Sequence, residues 1–332
     1  MMQREAVLAA IREKQGQWVS GGALSKELGV SRTTVWKQVK ILQAEGYAIE
    51  TSPKKGYRLT VVPDILSAAE VGSGLQTQVL GRENYFYFAE IDSTNNHAKE
   101  LAAKNSPEGT IVVAERQTAG RGRRGRVWHS QPGQGIYISL IMRPPLSLNQ
   151  LSRVTPSIAV AVAETLEKQL DLKPGIKWPN DVLINGRKIA GILTEAVTDM
   201  DGIEYIIIGI GLNVNQRAED FPEEFRDAVT SAREEVKHPV SRVKLLQELL
   251  LQLEKRYRQL TGGEFSLILE RFRELSVVIG RDIKLDSVNG LTAGRAIDID
   301  NNGFLTVRDV MGNIHNVMSG EIFLKAPHDN HK

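Results

Sequence analysis

The chain has 332 residues, 41% hydrophobic and 25% charged, a balance that suits a globular protein of two or three domains. It contains no cysteine, which excludes disulfides, thiolate metal sites and a cysteine nucleophile. No apolar run approaches the ~18–20 residues of a bilayer span, and residues 1–16 mix acids and bases rather than forming a signal segment. A cytoplasmic location with no membrane partner is expected.

The formal net charge of +2 is unevenly distributed. Residues 1–60 carry ten Lys/Arg against five Asp/Glu, leaving the remainder of the chain at −3. A basic block at one end calls for an anionic partner there. Between Glu115 and Glu164 there is no acidic residue, yet seven arginines fall in that stretch. Such a segment is suited to anions.

In chain order, Ala6, Val7, Ala10 and Ile11 give a first helix its apolar face. Leu24 and Leu28 mark a second helix, and Val35, Val39 and Leu42 a third. Gly29 supplies the turn between these two, and Ser31 is placed to cap the third helix. Residues 47–51 and 56–60 alternate like two strands of a basic hairpin. Helix-turn-helix plus hairpin predicts a winged helix over residues 1–62, a module that serves either DNA or protein binding. As a DNA-binding module its recognition helix would offer Arg32, Thr33, Thr34, Lys37 and Gln38, with Lys54 and Lys55 on the wing. Trp36 reads as core.

Past a linker at Val62-Pro63-Asp64, strand-like runs cover 85–90, 110–116, 135–143, 188–197 and 204–213. Helical periods cover 94–104, 152–170, 243–260 and 264–275, with Leu245, Leu249 and Leu253 as plain core stripe. The mixed order predicts an α+β domain with a mixed sheet over 63–275. From Val277 onward short strands and tight turns predict a small SH3-like β-barrel over 276–326, followed by a tail at 327–332.

Gly120-Arg121-Gly122-Arg123-Arg124-Gly125 satisfies the spacing of a dinucleotide-binding loop. That motif should open a helix and be followed by an acid about 20 residues on. Here Val127-Trp128-His129-Ser130 and a turn follow, and the acid is missing. No Gly-Lys-Ser/Thr closes a phosphate loop either. Arg121, Arg123, Arg124 and Arg126 would repel one another unless an anion sits among them, and charge alone fits a ligand clamp, a solvated basic loop or a nucleic-acid patch.

The segment from Glu115 to Trp128 resembles the signature of biotin protein ligases. Four further segments fit the same family in order and spacing: Asp92-Ser93-Thr94-Asn95-Asn96, Lys177-Trp178-Pro179-Asn180-Asp181-Val182, Lys188 to Glu195, and Gly209 to Asn215. With the N-terminal winged helix, the resemblance is to the bifunctional kind, a biotin ligase joined to a biotin-operon repressor. It implies that biotin is activated with ATP and Mg²⁺ as biotinyl-5′-AMP, then passed to a lysine of a biotin carboxyl carrier protein. It also implies a homodimer on operator DNA.

The resemblance further implies residue roles. Ser93, Thr94, Asn95, Gln117, Arg121, Gly122, Arg123 and Lys188 would bind biotin; Lys188, Arg121 and Arg123 would act in catalysis. Arg124, Trp128, Asn180 and Asn213 would lie on the nucleotide side, and no protein metal site is implied. Asp92 or Ser93 would also cap the helix that follows. Gly191 and Leu193 would help wall the apolar part of the site. Asp181 is left between metal binding and pairing with a base. The alternatives are a lipoate-type protein ligase and a biotin-sensing repressor without catalysis.

Overall fold

The computed structural model describes residues 2–199, 202–287 and 290–324; the 327–332 tail lies outside them. The chain divides into two compact units, Met1–Ile65 and Leu66–Lys332.

In the first unit, α1 (Met2–Arg12), α2 (Gly21–Leu28) and α3 (Arg32–Ala44) precede the hairpin β1 (Ala48–Ser52) and β2 (Gly56–Val61). Ser20 and Ser31 cap α2 and α3, each hydroxyl accepting a backbone N–H at 3.0 Å. Gly29 ends α2 at φ 64°, in the left-handed region that glycine adopts without a Cβ penalty. Val7, Ile11, Leu24, Val35, Val39, Leu42 and Leu59 form the buried centre. Val19 bridges to Tyr57 beside the hairpin. The winged helix expected from residue spacing is present.

The second unit opens with α4 (Ala68–Gly72), β3 (Tyr85–Phe88), α5 (Thr94–Ala103), β4 (Ile111–Ala114), β5 (Gly135–Met142) and α6 (Val154–Leu170). Then come β6 (Pro174–Lys177), β7 (Asp181–Ile184), β8 (Arg187–Thr198) and β9 (Ile203–Asn213). Helices α7 (Ala232–Val236), α8 (Arg242–Thr261) and α9 (Phe265–Leu275) follow. The chain closes with β10 (Asp282–Ser287), β11 (Gly290–Ile299), β12 (Leu305–Asp309), β13 (Ile314–Val317) and β14 (Glu321–Leu324).

Among the described residues, a seven-stranded sheet runs β3-β4-β5-β9-β8-β7-β6. The β3–β4 pair is parallel and the other pairs are antiparallel. Successive strand residues alternate between faces. Ile206, Ile208, Ile210 and Leu212 of β9 join the core under α6, α8 and α9, whereas Tyr205 and Ile207 pack with α5 through Ala98 and Ala102. Leu245, Leu249 and Leu253 are buried in the larger core as expected. The β6–β7 hairpin was legible only as a motif, because strands of four residues with a Pro-Asn turn carry little periodic signal.

The C-terminal strands form an antiparallel sheet in the order β13-β12-β11-β10-β14. Closure into a barrel is not among the pairings of the described residues. The sheet joins the larger core through Ile283, Leu285, Ile299 and Val307. Trp178, 2% exposed, donates its indole N–H to the carbonyl of Gly303 at 3.0 Å.

Candidate functional site

The α5 face of the central sheet is covered at one end by α5 and opened at the other by glycines. Register sets Gly191 of β8 opposite Gly211 of β9, and Leu193 opposite Gly209. On the other side of β9, Ser139 stands opposite Gly209. A Cβ on Gly209 would lie 2.2 Å from Oδ1 of Asn95. One on Gly211 would lie 2.3 Å from Cε2 of Trp128, and one on Gly191 2.9 Å from its Cζ3. Three glycines therefore make a bare floor on which Asn95 and the Trp128 indole rest. The cavity above it also meets Ser93, Thr94, Gln117, Arg121, Gly122, Arg123, Asn180 and Lys188, and leaves about 50 Å³ clear.

One end is neutral and tightly bonded. Ser93 occupies the N-cap position of α5 but makes no side-chain capping bond, which corrects the Ser93 half of the expectation that Asp92 or Ser93 caps this helix. Gln117 does that work: its Oε1 accepts from the N–H of Thr94 at 2.9 Å and from the Thr94 hydroxyl at 3.1 Å. Asp92 Oδ2 instead accepts from the side-chain amide of Asn96, which holds the Asp92 carboxyl below its usual range. The Ser139 hydroxyl, buried in β5, lies 2.7 Å from Thr94 Oγ1 and 2.5 Å from Asn95 Oδ1. Ser93, Thr94 and Asn95 are each under 5% exposed. Fixed neutral groups of this kind suit an uncharged polar ligand group, since a buried unpaired partner costs ~1–3 kcal/mol.

Glu195 ties this end to the arginine loop. Its carboxylate accepts from Asn95 Nδ2 at 2.8 Å and from Lys99 Nζ at 2.6 Å, with Arg121 Nη2 at 3.8 Å. Burial pushes this carboxyl up, but the Lys99 and Asn95 hydrogen bonds and the nearby cations outweigh it, and the group sits below the ordinary glutamate range. Arg121 also donates to Oδ1 of Asn96 at 3.1 Å. Glu195 and Ser139 carried no assigned role at the level of sequence. The lone serine within the otherwise apolar and aromatic run of β5 was the one available signal for Ser139.

The other end is cationic. Lys188 Nζ stands 2.7 Å from Asp181 Oδ1 and 5.4 Å from the centre of the Trp128 ring. The Asp181 contact is an ion pair lying off the hydrogen-bond directions, so this buried oxygen keeps acceptor capacity. Asp181 thus pairs with a base, one of its two expected roles. The Lys188 backbone is fixed by bonds to Ala228 and Thr230. Arg123 donates to Asn180 Oδ1 at 2.9 Å and to Gly320 O at 3.3 Å. Burial lowers the pKa of its guanidinium, which nevertheless stays charged at neutral pH. Asn180 is itself anchored, donating to the carbonyl of Ile192.

The loop's arginines divide. Arg121 and Arg123 line the cavity, whereas Arg124 and Arg126 turn to the C-terminal sheet. Arg124 donates to Asp286 Oδ2 at 2.6 Å and to Asp286 O at 3.1 Å, and Arg126 to Glu321 Oε2 at 2.6 Å. Arg124 holds this place with φ 54°, a strained value for a residue with a Cβ. Asn213, expected on the nucleotide side, does not reach the cavity: it is 4% exposed and donates to Thr230 O.

In the N-terminal unit Arg32, Thr33, Lys37, Lys54 and Lys55 are exposed, while Thr34 and Gln38 are half-buried. The Thr34 hydroxyl lies 2.9 Å from Ser31 Oγ within the cap. On the wing, Arg58 and Lys55 stand 4.9 and 5.8 Å over the ring of Trp18. Trp36 is 50% exposed, against the expectation of a core position, because Val35, Val39 and Leu42 already fill the inward face of α3.

Comparison with known proteins adds the following. A family model described as the Biotin/lipoate A/B protein ligase family matches residues 87–213, and an HTH domain model matches residues 3–58. The bifunctional ligase/repressor BirA of Bacillus spizizenii is 42% identical over 321 residues, covering 97% of this chain and 98% of that protein. That of Escherichia coli is 31% identical, covering 94% of each. The solved biotin protein ligase from Aquifex aeolicus in complex with biotin and ATP is 31% identical, with a TM-score of 0.63. That match covers 73% of this chain and 99% of the Aquifex one.

Proposed function

Because the chain belongs to the family of bifunctional biotin ligase/repressors, we propose that it adenylates biotin, transfers it to a carrier lysine and binds operator DNA. The observation that carries the ligase reading is the polarity of one cavity, neutral at Thr94, Asn95 and Gln117 and cationic at Arg121, Arg123 and Lys188. The ureido head of biotin belongs at the neutral end, with Ser93 beside it. Its carboxylate belongs at the cationic end.

In the first step a carboxylate oxygen attacks the α-phosphorus of ATP and pyrophosphate leaves. Two anions meet, so the barrier falls when fixed cations offset their repulsion and the charge growing on the phosphoryl oxygens. Lys188, Arg121 and Arg123 supply that charge, and Gly122 lets the loop backbone approach. Trp128, Asn180 and Arg124 serve the nucleotide side, Arg124 after release from Asp286. Asn213 acts there by holding the backbone around Thr230. No group of three or more acidic or histidine residues is gathered for a metal among the described residues. Mg²⁺ would therefore ride on the triphosphate, with Asp181 Oδ1 within the same site, and would neutralise phosphate charge.

In the second step the neutral amine of a carrier lysine attacks the acyl carbon, AMP departs and the amine loses its proton. A glycine–arginine lid excludes water from the mixed anhydride meanwhile.

In the same reading Arg32, Thr33, Thr34, Lys37, Gln38, Lys54 and Lys55 contact DNA, and a homodimer meets a two-fold operator. The carrier is a biotin carboxyl carrier protein and the setting is the cytoplasm. The three-part division at 62/63 and 275/276 assigns DNA, ligase chemistry and the C-terminal sheet to separate segments. The test is incubation with MgATP, a carrier domain, and biotin and lipoate in competition. Mass gain by one biotin is expected. Gain by lipoate selects the lipoate-type ligase, and no gain with retained biotin binding selects a sensor without catalysis.

A further inference from the structure

Four tryptophans occur in the chain, and three have clear employment. Trp178 is buried with its N–H bonded to Gly303, Trp128 lies on the glycine floor, and Trp18 carries Arg58 over its ring. Trp36 is different. It is 50% exposed on α3 and has no ring or cation partner among the described residues.

Its position on the helix is informative. At about 100° per residue, Val35, Val39 and Leu42 share one narrow arc, and Trp36 stands about 100° away from Val35. Arg32, Thr33, Lys37 and Lys40 are exposed alongside it. No acidic residue lies within α3. An isolated exposed aromatic needs no explanation; one set in a row of cations on a recognition helix does. The charge of that row selects a polyanion as what covers it.

Within a duplex the division of labour follows from chemistry. Arg32, Lys37 and Lys40 are suited to phosphates, which position the helix without reading sequence. Indole has one N–H donor and no acceptor, so it cannot pair bidentately with a base edge. What it offers is apolar area, on the order of 100 Å² for a half-exposed ring. The apolar feature of the major groove is the 5-methyl group of thymine.

We propose that Trp36 is a specificity-determining residue that packs on a thymine methyl in each operator half-site. This rests on the repressor reading above. The test uses the full-length chain with biotin and MgATP to select duplexes from a random pool, in parallel for wild type, W36A and W36F. Wild type is expected to enrich thymine at one position per half-site that W36A leaves unselected, the other positions persisting in both, and W36F retaining part of the preference. Replacing that thymine by deoxyuridine should weaken wild-type binding about fivefold or more and leave W36A binding unchanged. Ligase activity and salt dependence should be equal in all three chains, which checks folding and phosphate contacts. An unchanged sequence profile in W36A overturns the proposal, as does a change confined to oligomeric state. If wild type itself enriches no sequence, the repressor reading fails and the proposal with it.

Discussion

Gly211 lies against the indole of Trp128, close enough that a methyl group on the glycine would stand 2.3 Å from Cε2. The contact defines the height of the cavity floor. Gly211→Ala must push the indole away, and overpacking of this kind costs about 1–3 kcal/mol. Biotin affinity by titration calorimetry is expected to fall at least tenfold, with the circular dichroism spectrum unchanged. Unaltered affinity would show that the indole relocates without consequence.

Lys188 and Asp181 should behave as a pair in the first half-reaction. Lys188→Gln removes a fixed cation and is expected to slow pyrophosphate release by about 10²–10³-fold. Asp181→Asn leaves the ammonium in place and costs less. The double variant should be no slower than Lys188→Gln, because contacting residues are not additive. Strictly additive losses would mean that the carboxylate acts independently of the lysine.

Asp286 and Glu321 should restrain the arginine loop in the ligand-free protein. Both ion pairs are partly exposed, and such pairs contribute modestly, so each loss raises loop opening about twofold to fivefold. Trypsin reports this directly, since the loop offers cleavage after Arg121, Arg123, Arg124 and Arg126. Asp286→Asn with Glu321→Gln should be nicked faster than wild type, and biotin with MgATP should protect both chains. Equal cleavage rates without ligand would remove the latch.

Glu195 links pH to stability. Its carboxyl is held below the ordinary value of 4.5 in the folded chain. The folded state therefore binds fewer protons than the unfolded one between those two values. The contribution is complete above 4.5 and is lost as pH falls through the lowered folded value. Denaturation midpoints of Glu195→Gln should lie below wild type at pH 7 and converge with it in acid. Parallel curves down to the acid limit would assign the pH dependence elsewhere.

Much of the second unit was readable because it is local. The five apolar runs that became β3, β4, β5, β8 and β9 alternate or persist over their length, and Leu245, Leu249 and Leu253 recur at helical spacing. The motifs containing Ser93, Gln117, Arg123, Asn180 and Lys188 could be named one by one, and the fold gathers them around one cavity. The roles of Gln117 and Ser93 could not be apportioned in advance. Which of them caps α5 depends on a segment more than twenty residues away in the chain.

Sequence alone determined the winged helix, the central apolar strands and helices, and a glycine-spaced loop of four arginines with no acid of its own. Each depends on periodicity, composition or neighbouring residues. Tertiary structure decided the rest. Strand register set Gly191 opposite Gly211 and made a floor; packing directed Arg124 to Asp286 and withdrew Asn213 from the cavity; a filled inward face left Trp36 in solvent. Those outcomes depend on which strands pair and which surface each side chain meets, and both are relations between distant parts of the chain.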